Sequence, residues 1–280
     1  MSLRAAMHNE VGPRGAGRRH TRYMPIGQVT RGTTGTNRLR RIDRWIAQLP
    51  AVRRAEHPLV VDLGYGASAT TTLELHQRLS RVVPGVEVVG IEIEPARVAI
   101  AKPHEKPGVS FRLGGFEVPG ERPTVIRALN VLRQYGEAEV QPAWDLMVSR
   151  LQPGGVLVEG TCNEVGRVAS WVDVTAAGPQ TLTISLHLPS LELPSIVAER
   201  LPKALIHRNI PGERIHQFLL DLDRQWATHA GLGVYSPAQR WVAVAQSMKD
   251  SGWPIRGGKQ RWRLGELTVV WDAVAPGLQG

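Results

Sequence analysis

Cysteine is almost missing from this chain. Cys162 is the only one, so no internal disulfide can form, and no Cys/His cluster has the spacing of a zinc site. No run approaches the roughly 18 consecutive apolar residues of a spanning helix, which speaks against a membrane partner. The opening stretch MSLRAAMHNEVGPRGAGRRHTRYMP has no apolar core of the kind a secretory signal needs. Arg18-Arg19 is followed by HTRYMPIGQ, so a twin-arginine signal is not read there either. A reducing, cytoplasmic setting is the expectation. There is no internal repeat.

What is present is an ordinary globular composition, 42% apolar and 21% charged over 280 residues, with a formal charge of +9. The charge is concentrated. Residues 1–57 carry 12 arginines and no lysine against Glu10, Asp43 and Glu56, which accounts for the whole excess, so residues 58–280 are balanced. Residues 1–27 are Gly/Arg-rich without periodicity and are expected to be a disordered basic arm. Over 28–57, Leu39, Ile42, Ile46 and Leu49 recur at spacings of three and four, predicting an amphipathic helix with Thr36 or Asn37 as N-cap and Pro50 near its end. Arg38, Arg40, Arg41 and Arg44 fall mainly on its other side. They are expected to form a solvated face, and the Arg-rich segment 14–54 taken together is a candidate contact for nucleic acid.

From 58 to 162 short apolar strands alternate with helical segments. Strands are expected at 59–64, 86–93, 109–114, 124–132 and 156–161, and helices at 68–82, 95–101 and across AEVQPAWDLMVSRLQ. Such alternation specifies an α/β fold, a Rossmann-like parallel sheet with helices on both faces. Residues 163–280 change character. RVASWVDV and TLTISLHL flank AAGPQ as an antiparallel hairpin, helices are expected over 195–207, 211–230 and 236–252, and 266–274 is a last strand that completes the sheet on its substrate side. Five tryptophans between residues 226 and 271 are assigned to core packing, and the nine histidines to structural roles.

The sharpest motif is VVDLGYGASAT at the end of the first strand. Gly64 and Gly66 let the backbone turn sharply and approach a ligand at the N-terminus of the next helix. The glycine pattern Gly64-Tyr65-Gly66-Ala67-Ser68-Ala69 also fits a dinucleotide turn, so a nicotinamide-dependent oxidoreductase is an alternative. Asp62 would repel a pyrophosphate, whereas it suits a sulfonium and an amino group. Taken with Glu92 at the end of the second strand, in VVGIEIEPARVAIA, with TVIRALNVLRQY and with LQPGGVLVEGTC, the stretch 57–162 resembles the class I S-adenosylmethionine-dependent methyltransferases.

That resemblance implies S-adenosylmethionine as cofactor, held by Asp62, Gly64, Tyr65, Gly66, Glu92, Ile93, Gly115, Phe116 and Asn130, and in-line methyl transfer to an unidentified acceptor. Glu92 would accept from a ribose diol, since one carboxylate can take two hydroxyl donors. For the adenine, either Glu117 accepts from the amine or Phe116 packs on the ring. Ser68 stands where the family's third glycine would be. Val131-Leu132-Arg133 after Asn130 is unlike the motif of enzymes that methylate exocyclic base amines. Asn130, Tyr135 and Glu159 are candidates for orienting the nucleophile. Cys162 resembles the position of the nucleophilic cysteine in cytosine-C5 RNA methyltransferases, although the companion Asp-x-Pro-Cys element is absent, and a buried structural thiol is the commoner role. A nucleic-acid-binding protein with a vestigial cofactor pocket is the remaining alternative.

Overall fold

The computed structural model describes residues 24–32 and 35–277. The expected disordered arm therefore lies outside the described residues except for Met24–Gly27, and the Arg-rich candidate segment 14–54 lies partly outside them. The described chain begins with an extended segment, then α1 (Arg40–Ile46), α2 (Pro50–Arg53), β1 (Leu59–Leu63), α3 (Thr70–Leu79), β2 (Glu87–Glu92), α4 (Pro95–Ala101) and β3 (Val109–Leu113). It continues with β4 (Val125–Leu129), α5 (Val140–Ser149), β5 (Val156–Cys162), β6 (Val168–Thr175) and β7 (Gly178–Leu186). The last part holds α6 (Lys203–Ile206), α7 (Arg214–Thr228), α8 (Pro237–Asp250), β8 (Ile255–Arg256), α9 (Lys259–Trp262) and β9 (Glu266–Val270).

All the strands among the described residues join one sheet in the order β3-β2-β1-β4-β5-β6-β7-β9-β8. The first five pair in parallel, and each later pairing is antiparallel. This is the expected α/β architecture, a Rossmann-like parallel half with antiparallel strands at its C-terminal end. The order reverses between β1 and β4. In open parallel sheets a cleft forms at such a reversal, beyond the carboxyl ends of the strands. Gly64 follows β1 and Asn130 follows β4, so both stand at that cleft.

Helices cover both faces. One face buries Leu39, Ile42 and Ile46 with Leu75, Leu79, Val60 and Val158. The other buries Trp144, Met147, Phe218, Leu222, Trp241 and Met248 with Ile126 and Leu157. In α7 the buried residues Ile215, Phe218, Leu219, Leu222 and Trp226 fall on one stripe at helical spacing. Fully burying each such side chain is worth about 1.5–3 kcal/mol. Four of the clustered tryptophans, Trp226, Trp241, Trp262 and Trp271, are buried core residues, and Trp226 packs edge-on against Trp241 at 6.2 Å.

Several expectations are corrected. Residues 28–57 do not form one helix: α1 starts at Arg40 with no side-chain cap, Asn37 has a left-handed φ of 61°, and Pro50 opens α2. The arginine face is not solvated throughout. Arg41 is buried and donates to Ser185 Oγ at 3.1 Å and to the Leu264 carbonyl, while Arg44 pairs with the buried Glu266 at 2.8 Å. These guanidiniums satisfy polar groups of the antiparallel strands, which sequence spacing could not reveal. Within Met24–Gly27, Ile26 is held in place, because its N–H donates to the Glu117 carboxylate and its carbonyl accepts from Phe116 N in the loop after β3. The helix expected over 195–207 is a 3-10 turn at Pro194–Arg200 followed by α6, and 266–274 is strand only to Val270. The hairpin turn is tighter than expected, since Gly178 and Pro179 already belong to β7. By contrast Ser236 caps α8 as predicted, accepting from Gln239 N at 3.0 Å.

Candidate functional site

The cleft at the β1/β4 reversal is shaped first by its turns. Gly64 and Gly66 have φ values of +69° and +92°, a left-handed conformation that side-chain-bearing residues seldom adopt. A Cβ on Gly66 would also lie 2.9 Å from the Gly32 carbonyl oxygen, so the turn is a point of close backbone approach. Across the reversal, Asn130 is itself left-handed, with φ 63°. Its side chain bridges to β5: Oδ1 accepts from Cys162 N at 3.0 Å and Nδ2 lies 3.3 Å from Cys162 Sγ.

A cavity of about 350 Å³ opens between these turns, with Asp62, Gly64, Gly66 and Asn130 on the sheet side and Arg31, Arg38, Arg133 and Arg200 facing them. Asp62 is 2% exposed and already well engaged. It accepts from Thr71 and Thr72 Oγ1 at 3.0 and 2.8 Å and from Arg127 Nε at 3.0 Å. Arg127, fully buried in β4, also reaches Asp43 of α1 and the Thr71 carbonyl. Asp62 therefore anchors the glycine turn onto α3 and β4, and only its residual acceptor capacity faces the cavity. Tyr65 packs edge-on to Phe111 at 5.3 Å, and burial, then Glu92, push its phenol above the ordinary range.

Glu92 is 1% exposed and closes the end of β2. Its Oε2 accepts from Gly66 N at 3.0 Å and its Oε1 from Ile93 N at 3.0 Å and Glu94 N at 3.3 Å, with Arg97 at 3.6 Å. A carboxylate offers about four acceptor positions, so with three taken only about one remains, fewer than the two hydroxyl donors expected from the sequence. Beyond it, the loop after β3 forms a second recess of about 20 Å³ with Ile93, Gly115, Phe116 and Tyr135. Residues 26–32 run across it. The Ile26 N–H donates to Glu117 Oε2 at 2.8 Å and its carbonyl accepts from Phe116 N at 2.8 Å. Gln28 N donates to the Tyr135 hydroxyl, Thr30 O accepts from Arg97 at 2.7 Å, and Gly32 O accepts from Ala67 N at 3.0 Å. Gly115 permits this approach, since a Cβ there would come within 2.0 Å of the Ile26 carbonyl oxygen.

The residues singled out in the sequence thus divide. Asp62, Gly64, Tyr65, Gly66 and Asn130 line the larger cavity, and Gly64, Glu92, Ile93, Gly115 and Phe116 line the recess beside it. Tyr135 lies at the recess, away from Asn130. Glu159 is fully buried away from the cavity with the Trp144 indole N–H as its neighbour, and burial raises its pKa to about 8 despite that donor. Cys162 is fully buried and does not line the cavity. Three features were missed. Arg127 had a readable signal, because an arginine inside the apolar run TVIRALN requires a buried acid. Arg133 follows Asn130 closely, but nothing in sequence brings Arg200 to it, and nothing announces the segment 26–32 as a cover.

Among the described residues no cluster of His, Cys, Asp or Glu could hold a metal ion, and no helix is long and apolar enough to cross a membrane. Glycine turn, strand order and strand-end cleft together define a Rossmann-like α/β fold. No family model and no curated protein matches the chain. Among solved structures it is similar to human N-acetylserotonin methyltransferase in complex with SAM, at 22% identity over 46% of this chain and 36% of that one, TM-score 0.35. It is also similar to magnesium protoporphyrin IX methyltransferase from Synechocystis PCC 6803 with bound SAH, at 18% identity over 44% of this chain and 54% of that one, TM-score 0.35. A third, a pericyclic reaction enzyme, is 16% identical over 46% of this chain and 33% of that one, TM-score 0.33. The chain spans only about a third to a half of these proteins.

Proposed function

We propose that the chain is an S-adenosylmethionine-dependent methyltransferase acting on an acceptor that enters the cavity facing Asn130. The observation that carries this reading is the pairing of Glu92 with the Gly64–Gly66 turn: a buried carboxylate at the end of β2 bonds the Gly66 amide beside a turn too close for side chains. The donor set at the neighbouring recess supports it. Phe116 N–H donates to the Ile26 carbonyl and the Glu117 carboxylate accepts from the Ile26 N–H, so the loop offers one donor and one acceptor side by side. The edge of an adenine, with N1 and its exocyclic amine, presents the same pair. Glu117 is thus the better candidate for the amine, and Phe116 contributes its amide.

When bound, the cofactor supplies an electrophilic methyl group on a sulfonium. The chain's own residues bind and orient. Glu92 would take the ribose, Glu117 and Phe116 the adenine, and Asp62, held by Arg127, would face the positive end. Asn130, fixed by Cys162, would position the acceptor's nucleophile. In-line transfer needs proximity more than acid–base chemistry, so the lack of an obvious base in the cavity is compatible with it. Residues 26–32 take up the adenine edge and must shift for the cofactor to seat.

Isothermal titration of the full chain with S-adenosylmethionine and with NADH tests this. Saturable binding of the former alone is expected. Binding of NADH alone would favour an oxidoreductase, and no binding of either would leave the vestigial-pocket reading.

A further inference from the structure

The cavity facing Asn130 has an unbalanced wall. Arg200 is set at the end of the β5–β6 pair by its own carbonyl, which accepts from Thr161 Oγ1 at 2.5 Å and from Ser170 Oγ. Its guanidinium lines the cavity, and its Nε is buried with no hydrogen-bond partner. Arg133 stands beside it, pinned by a 3.1 Å bond from Nη1 to the Glu199 carbonyl. Burial, and then the neighbouring charges of Arg200 and Arg31, hold the Arg133 guanidinium below its ordinary pKa. No carboxylate pairs with either group among the described residues. Asp62 is turned to Arg127, and Glu164, the other acid on this wall, is exposed.

Arg133 is exposed and held at one nitrogen by a backbone carbonyl, while the neighbouring Arg200 guanidinium carries a buried Nε–H with no partner, a cost that an incoming counter-charge would offset. Arginine's planar fork matches an oxyanion with two parallel hydrogen bonds. Arg38, on the same wall, is spent differently: its Nε and Nη2 donate to the carbonyls of Asn163 and Cys162.

We propose that Arg133 and Arg200 form an oxyanion subsite, and that the methyl acceptor is a small molecule carrying a carboxylate or phosphate group that seats there while its nucleophile faces Asn130. The second half rests on the methyltransferase reading; the subsite itself does not. It would fix which end of the acceptor points at the reacting methyl, and would select against neutral molecules of the same shape.

The test uses the full chain with inorganic phosphate and succinate as probes, monitored by thermal shift and titration, for wild type, Arg200→Gln, Arg133→Gln and Arg200→Lys. At least one probe is expected to bind wild type in the millimolar range and to weaken tenfold or more in both glutamine variants, with partial recovery in Arg200→Lys. Preference between the probes distinguishes carboxylate from phosphate. Failure of both to bind wild type overturns the subsite. S-adenosylhomocysteine and methylthioadenosine, of which only the first carries the amino-acid carboxylate and ammonium, provide the second arm. Arg200→Gln is expected to change the affinity of either by less than twofold. A tenfold loss confined to S-adenosylhomocysteine would show that the arginines serve the cofactor's own carboxylate, and would overturn the acceptor assignment. If neither adenosyl compound binds wild type while phosphate or succinate does, the methyltransferase reading fails and the oxyanion subsite stands.

Discussion

Arg127 faces Asp62 directly across the β1–β4 pair, and its Nε donates to Asp62 Oδ1 at 3.0 Å while the other end of the guanidinium holds Asp43 of α1. One side chain thus ties the glycine turn to the helix that follows the described N-terminal segment. Arg127→Leu would leave two buried carboxylates without their main partner. Loss of one member of a buried ion network costs about 3–5 kcal/mol, so urea unfolding should shift markedly to lower midpoint. Arg127→Leu combined with Asp43→Asn should recover part of that loss. An unchanged midpoint in the single variant would show the network to be energetically idle.

Glu92→Gln keeps the shape of the strand end but removes one acceptor oxygen and the charge. Hydrogen bonds to charged groups are worth about 1.5–3 kcal/mol, so S-adenosylhomocysteine should bind roughly tenfold to a hundredfold more weakly in titration. A circular dichroism spectrum matching wild type checks that the loss is local.

Gly115→Ala probes the cover. Gly115 has an ordinary backbone conformation, so the added methyl conflicts with the Ile26 carbonyl and not with its own φ. The expected result is faster proteolytic cleavage within 24–32 and unchanged protection of the sheet. Cleavage at the wild-type rate would show that the contact is not what holds the segment.

Two buried acids set a pH dependence. Burial raises Glu159 to about 8, and raises Asp173 to about 7 despite hydrogen bonds from Trp45 and Thr181. Both are raised acids, so their contribution is fully present below the ordinary carboxylate range and is lost as pH climbs through about 7 and 8. Each pKa unit is worth about 1.4 kcal/mol. Wild-type Tm should therefore fall from about pH 4 up to about pH 8 and level off above it, and Glu159→Gln should flatten that fall. An equal fall in both proteins would remove Glu159 as its source.

Cys162→Ser tests the thiol. Its sulfur is sealed beneath Asn130, outside the cavity. Once an acceptor is in hand, the variant should keep methyl transfer within a few-fold of wild type. Complete loss, with folding intact, would restore the nucleophile reading.

Much of this molecule could be read from sequence, for identifiable reasons. The parallel half follows from short apolar runs between helical periods, and the glycine turn and Glu92 stood out because their residue types are costly elsewhere. Boundaries failed where local rules met distant partners. Arg41 and Arg44 look like a solvated face until Ser185 and Glu266 are brought beneath them. Arg133 and Arg200 share a wall only because a 3-10 turn after β7 folds back over β5 and β6. The segment 26–32 binds through backbone atoms, which carry no side-chain signature at all.

That last feature has a kinetic and thermodynamic consequence. A peptide tethered next to the recess it fills acts as a competitor that cannot be diluted or dialysed away, present at an effective concentration on the order of millimolar for a short tether. Any adenosyl ligand would then be measured against that occupant, its apparent affinity scaled down by the fraction of molecules in which Ile26 has let go of Phe116 and Glu117. Tight binding would report a ligand able to evict the chain's own backbone, and release of product would be aided by the same peptide returning.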